Sequence, residues 1–324
     1  MRALLPRHVG RVLGKLLVAA APLLVSGCER STPAPGRKDT AIPVVPPPES
    51  TVNVPAPVST WDSSAGPALF VPGQTPSEAA VVMPSYTDSA ALDTARFDRA
   101  ALRVDRIDLF AGGKRIGTAR IDGAAPSVRT DSCRSWPTVR LAPASSDTAS
   151  IPPWTVGFAA GHAAEVPIDS IEGLASADSA KLAADIARIA SALPGDTAAA
   201  FRGLPFVVKK AWRIQAPAIG QVLAAIVVRN VNQEANPRQE RLLLVAERDT
   251  TASSARYSPV YYERTAGLEE TLETTDLVAA VLLGAARQLT IVVARDAGSG
   301  SSYALLERID GRWRRRWASA YAGC

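Results

Sequence analysis

The sequence predicts a mixed α+β fold that is mostly antiparallel β, and three observations carry that expectation. Short β-rich runs punctuated by glycine occupy the middle of the chain, as in Val104 to Phe110 and Arg115 to Ile121 around Ala111-Gly112-Gly113-Lys114. A single amphipathic stripe of helical period follows, with Leu182, Ile186, Ile189 and Leu193 at i, i+4, i+7 and i+11. After Pro205 the chain becomes a succession of alternating strands in which segments of one half echo segments of the other. The expected order is short N-terminal strands, a helical insertion, then two repeated β-meander units.

Each element has a local reason. Two glycines between β-branched runs favour the tight turn of a hairpin. Thr138 to Leu141 and Trp154 to Phe158 read as further short strands. Ser176 is placed to cap a helix over residues 177–193, and Pro194-Gly195 ends it. Asp196 is placed to cap a second, short helix through Phe201. In Phe206 to Ile214, Phe206, Val208, Trp212 and Ile214 share one face at period two. The remaining strands are expected at Val222–Arg229, Arg241–Arg248, Tyr257–Arg264, Leu277–Leu283, Leu289–Arg295, Tyr303–Arg308 and Arg312–Tyr321.

The echo runs in the same order in both copies. Val222-Leu-Ala-Ala-Ile-Val-Val matches Leu277-Val-Ala-Ala-Val-Leu-Leu, Val245-Ala-Glu-Arg-Asp matches Val293-Ala-Arg-Asp, and Tyr262-Glu-Arg-Thr-Ala-Gly matches Leu306-Glu-Arg-Ile-Asp-Gly. A spacing of roughly 44 to 55 residues suits a three- or four-stranded unit. Asp276 to Asp296 resembles an FG-GAP repeat, a blade type that often binds calcium. The closely spaced Asp ligands of that family are missing, however, and Ala285, Ala286 and Arg287 stand in their region. No metal is therefore expected.

The N-terminus has a different character. Residues 1–27 carry Arg2, Arg7, Arg11 and Lys15 and no acid. A ten-residue apolar run, Leu16 to Val25, follows the last of these. A helix needs ~20 apolar residues to span a bilayer, so the run reads as the core of a secretion signal. Val25-Ser26-Gly27-Cys28 resembles the lipobox of bacterial lipoprotein precursors. The resemblance covers residues 1–28 and implies cleavage before Cys28 and a diacylglyceryl thioether on its sulfur, usually with a further acyl group on the new amino terminus. Several chains are needed because each buried CH₂ contributes ~0.8 kcal/mol and one chain binds only marginally. The expected location is the cell membrane or outer membrane, outside the cytoplasm.

Residues 28–67 read as a tether. Ten of the 25 prolines lie between residues 28 and 72, with Pro46-Pro47-Pro48 at the centre. Such a composition cannot bury enough surface to offset its ordering entropy. In polyproline II it extends ~3.1 Å per residue, so ~30 residues reach on the order of 90 Å. The expected divisions are thus 1–27, 28–67, a strand-rich segment with the helix at 68–205, and the meander region at 206–324.

Composition excludes several functions. The formal charge of +5 comes largely from the signal: without residues 1–27, 32 basic residues face 31 acidic ones. That gives no electrostatic footprint for nucleic acid. With His8 in the signal, His162 is the one remaining histidine. No G-x-S-x-G, H-E-x-x-H, P-loop or G-x-G-x-x-G is present, and no cofactor is implied. His162 lies three residues before Glu165, too few ligands for zinc.

Carboxylate chemistry on a glycan remains open, because glycosidases need only two acids at a set separation. Glu263, Glu269, Glu270, Glu273, Asp276 and Glu307 are the available groups. In Arg312-Trp-Arg-Arg-Arg-Trp317, strand alternation puts Trp313, Arg315 and Trp317 on one face. That face is either buried under an arginine-rich exterior or a platform for a sugar or anionic polymer. Cys133 and Cys324 remain once Cys28 is lipidated, and an oxidising envelope favours a disulfide between them. The expected role is non-enzymatic binding or scaffolding of an envelope protein or glycan, with the carboxylate hydrolase as the alternative.

Overall fold

The computed structural model describes residues 66–84, 103–124, 135–145, 150–194, 198–217, 219–231, 236–248 and 256–323. The chain is mostly antiparallel β, with one α-helix among the described residues. Its first six strands are β1 (Leu69–Pro72), β2 (Glu78–Val82), β3 (Arg106–Ala111), β4 (Lys114–Ala124), β5 (Thr138–Pro143) and β6 (Val156–Ala159). They close into a barrel in the order β1-β2-β5-β4-β3-β6. Alternation sends Phe70, Val81, Ile107, Leu109, Ile121, Val139 and Leu141 into one buried cluster, with Trp154 beside them. Closure leaves no free sheet edge, which is how so short a set of strands satisfies its backbone.

The expected hairpin is β3–β4, paired up to Ala111↔Lys114. Its two glycines do different work. Gly112 has φ +61°, the left-handed region that glycine enters without penalty. A Cβ on Gly113 would lie 2.1 Å from the Val166 carbonyl oxygen. That closeness lets the Val166 amide donate to the Gly113 carbonyl at 3.0 Å, pinning the chain as it leaves the barrel.

Beyond this point come β7 (Ala163–Ala164), β8 (Ile168–Ser170) and the helix α1 (Ser176–Ala192). Then follow β9 (Val207–Ala216), β10 (Gly220–Val231), β11 (Arg238–Arg248) and β12 (Tyr257–Leu268). The second meander is β13 (Thr274–Leu283), β14 (Gln288–Asp296), β15 (Gly300–Ile309) and β16 (Arg312–Ala318), and β17 (Ala322–Gly323) ends the chain. One sheet runs β8-β9-β10-β11-β12 and the other β7-β13-β14-β15-β16, with β17 also paired to β15.

Alternation then stacks the layers. Ile214, Val222, Ala224, Leu243 and Val245 of the first sheet meet Leu289, Ile291, Val293, Ala304 and Leu306 of the second. The opposite face of the first sheet, with Leu223, Ala225, Leu242 and Leu244, is covered by Leu182, Ile186 and Ile189 of α1. The opposite face of the second, with Val281, Val292 and Leu305, packs on Leu69, Phe110, Val156 and Phe158 of the barrel strands. The order of layers is helix, sheet, sheet, barrel, and β10 and β11 are buried on both faces, as their near-continuous apolar runs require.

Several expectations are corrected. Ser176 is the first helical residue rather than the cap; Ala175 holds the cap position and makes no side-chain cap bond. The short second helix is a single 3-10 turn, Ala199–Phe201, and Asp196 lies outside the described residues. Phe206 and Val208 face α1, whereas Trp212 and Ile214 face the second sheet. The cause is a bulge: Ile226 pairs with Lys210 and Val227 with Val208, so Lys209 is an extra residue that reverses the alternation. The last expected strand is shorter, ending at Ala318. Across residue 205, α1 covers strands that follow it, and β7 and β8 edge the two sheets. The tether and signal lie outside the described residues.

The echoed segments fall on β10 and β13, β11 and β14, and β12 and β15, both sets being meanders that pack together. Their facing agrees only in part. Val245 and Val293 both point into the sandwich, but Leu306 points inward where Tyr262 is exposed. A bulge at Val278 reverses β13 after Leu277. The topology itself aligns the sheets one strand differently, with a short edge strand and then four meander strands in each.

Candidate functional site

The proposed aromatic platform does not form. Trp313 is 6% exposed and Trp317 7%. They face opposite ways: Trp313 packs inside the sandwich and Trp317 against the barrel. Leu306 pairs with Arg315 and Leu305 with Trp317, so Arg316 is a bulged extra residue that turns Trp317 over. The Trp313 indole N–H donates to Glu247 at 2.6 Å. Arg315 is half exposed, 4.0 Å from Glu263.

Of the six acids named from the sequence, Glu263 and Glu273 meet an arginine and Asp276 a lysine, and two further strand acids, Glu240 and Glu247, are also held by arginine. Glu240 is 1% exposed and takes Arg229 at 2.5 Å and Arg264 at 2.6 Å. The Arg229 guanidinium also lies 4.5 Å from the centre of the Phe206 ring. Glu247 accepts from Arg308 at 2.6 and 3.2 Å. Glu263 pairs with Arg295 and accepts from the Tyr261 hydroxyl. Burial, then the bond to Glu263, holds that phenol well above its ordinary range. Glu273 lies 3.8 Å from the same Arg295, and Asp276 is 2.5 Å from Lys210. Glu269 and Glu270 are exposed. Glu263 and Glu273 thus both lie against Arg295 rather than facing each other across an open site. Glu165 accepts the Arg115 amide at 3.1 Å, and among the described residues no group of three His, Cys, Asp or Glu could hold a metal.

Glu307 is the exception. It lies on β15, is 8% exposed, and receives no hydrogen bond or ion pair among the described residues. Burial raises its pKa above the ordinary carboxylate value, against the opposing pull of Arg316 and Arg314. Its side chain lines a cleft of about 550 Å³ between the barrel and the second sheet. The barrel side contributes Pro67, Phe70, Arg103 and His162, and the sheet side Leu283, Gln288, Ile309 and Arg316. The volume falls within the ~300–1,000 Å³ of small-molecule sites, and a mostly apolar lining with a few polar groups is the usual character of such sites.

Local structure explains how these groups meet. The bulge that inverts Trp317 also carries Arg316, which lines the cleft. Arg103, at the start of the chain segment entering β3, holds φ +48°, an uncommon backbone state for a non-glycine residue. His162 follows Gly161 in the turn between β6 and β7, and its carbonyl accepts the Gly284 amide at 2.8 Å, tying barrel to sheet. The sequence offered Glu307 and His162 as single residues; it did not place Arg103, Phe70 or Arg316 with them, since they meet only when the barrel docks on the sheet.

Cys28, Cys133 and Cys324 lie outside the described residues. No described helix is long and apolar enough to cross a membrane. No protein-family model, curated protein or solved structure matches the chain.

Proposed function

We propose that the chain is an exported lipoprotein whose folded layers, held on a proline-rich tether, bind a partner in the cell envelope without catalysing a reaction. The observation that carries the anchoring is the three-part N-terminus ending in Val25-Ser26-Gly27-Cys28. Lipid on Cys28 fixes the chain to a membrane, and the tether lets the folded part work on the order of 90 Å away. The cleft at Glu307 supports binding over hydrolysis. It is lined by one carboxylate rather than two, and Glu263 and Glu273 are occupied by a common arginine.

Fatty-acid labelling of Cys28→Ala in cells tests the anchor. The variant is expected to incorporate no fatty acid and to retain the uncleaved signal, running larger than the mature wild type. A variant that incorporates fatty acid or runs at the mature size sinks the reading.

A further inference from the structure

The geometry points to the cleft between barrel and second sheet as a binding site for a small zwitterionic group, its ammonium on Glu307 and its carboxylate or phosphate on Arg103 and Arg316. This assignment rests on the binding reading above and names the chemistry of that site. The first observation is Glu307 itself. An ionised carboxylate is an acceptor only, and this one lies nine-tenths within the fold with its oxygens opening on the cleft, where no donor of the chain meets them and solvent or a ligand supplies the hydrogen bonds. Every other strand carboxylate in a comparable position is met by arginine, so a donor at Glu307 has to come from outside the chain. The second observation is the company it keeps. Arg103 and Arg316 are exposed cations on the two walls, neither within ion-pair distance of the carboxylate.

These charges discriminate between ligand classes. A simple anion meets the arginines but is repelled by Glu307. A simple cation satisfies Glu307 but approaches past two like charges. A neutral polyol makes neutral–ionic bonds at every point and gains no ion pair. A zwitterion gains charge-assisted bonds at both ends, which are roughly twice as strong as neutral ones. Leu283 and Ile309 supply an apolar wall for a short aliphatic stem between the two charges. Both a free dipeptide, with its terminal ammonium and carboxylate, and the headgroup of an ethanolamine phospholipid have this chemistry.

Calorimetric titration of the purified full-length protein separates the cases. The probes are alanylalanine, N-acetyl-alanylalanine, phosphoethanolamine and glucose. At least one of alanylalanine and phosphoethanolamine is expected to bind, and N-acetylation to weaken alanylalanine, where it binds, at least tenfold. Glu307→Gln, nearly isosteric and free of the buried charge, is expected to weaken the zwitterion at least tenfold while the protein stays folded by circular dichroism. Arg316→Ala is expected to weaken it several-fold and to flatten its salt dependence. If alanylalanine is the ligand, the lipid-anchored protein sediments equally with phosphatidylethanolamine and phosphatidylglycerol vesicles; if the headgroup is, phosphatidylethanolamine vesicles displace phosphoethanolamine in the titration and phosphatidylglycerol vesicles do not. Equal binding of the acetylated probe, tighter binding of glucose, or binding of none of the four overturns the assignment. So does an unchanged affinity in Glu307→Gln. Each of those results leaves the Cys28→Ala labelling untouched, so failure of the ligand and failure of the anchored-protein reading are told apart.

Discussion

Glu240 and Glu307 stand in the same local sequence, a Glu-Arg dipeptide in a buried antiparallel strand, and meet opposite fates. Glu240 is clasped by two arginines from the flanking strands, Arg229 on β10 and Arg264 on β12. Glu307 is buried almost as deeply and is paired with none. Glu247 and Glu263, the other strand Glu-Arg dipeptides, side with Glu240. The arginine of one dipeptide even serves the acid of another: Arg264 pairs with Glu240 and Arg308 with Glu247. A buried carboxylate is tolerated where the fold supplies cations, and the sandwich does so across its strands. At Glu307 the register partner on β16 is Arg314, which makes no ion pair with it and lies 4.0 Å from Asp310, and the facing layer is the barrel, which contributes apolar side chains, Arg103 and an open cleft.

The contrast is broken most severely by removing Glu240. Glu240→Ala leaves Arg229 and Arg264 without their shared carboxylate in a dry interior, and loss of one member of a buried ion network costs about 3–5 kcal/mol. Urea unfolding should show a loss of that order; a change below ~1 kcal/mol would mean that the two arginines find other acceptors and the clasp is incidental. Glu247→Gln is the intermediate case. Glu247 is partly open to solvent, and the amide keeps one acceptor for Trp313 or Arg308 but loses the charge. The expected loss is about 1–2 kcal/mol, since hydrogen bonds to charged groups contribute ~1.5–3 kcal/mol and half of this set survives. A wild-type unfolding midpoint in Glu247→Gln would remove Glu247 from the group that stabilises the sandwich.

How much of this was legible follows from which patterns are periodic. The helix could be read because Leu182, Ile186 and Ile189 recur at 3.6 residues and the buried face is that stripe. The hairpin could be read because Gly112-Gly113 is a local signal. Strand locations after Pro205 were legible too, but not their facing. Lys209, Val278 and Arg316 are each one extra residue in a ladder, and each reverses the alternation that sequence reading assumes. Trp313 and Trp317 were assigned to one surface for that reason and lie in two different cores. The cleft was not legible at all: Arg103, Glu307 and Arg316 meet only when the barrel docks on the second sheet. Nothing in a Glu-Arg dipeptide says whether a cation across the strand reaches the acid, as Arg264 reaches Glu240 and Arg314 does not reach Glu307.

The smallest expected effect is the most discriminating, because its sign separates Glu307 from Glu240. Burial raises the Glu307 pKa in the folded protein above its ordinary value near 4.5, with Arg316 and Arg314 opposing. Between those two pKa values the folded chain holds a proton that the unfolded chain has released. Stability therefore falls as pH rises through that window, and the full penalty is present above it. Below the ordinary value both states are protonated and the penalty is gone. Glu307→Gln cannot ionise, so it escapes the penalty. Its Tm should therefore exceed that of the wild type at pH 8. The gap should close towards pH 4. Arg103, Arg314, Arg316 and His162 face the same cleft or carboxylate in both proteins, so the difference between the two melts isolates residue 307. Differential scanning calorimetry from pH 4 to pH 8 measures it. A variant less stable than wild type at pH 8 would show that the carboxylate is held by a favourable partner after all, placing Glu307 beside Glu240 and closing the cleft to the ligand assigned to it.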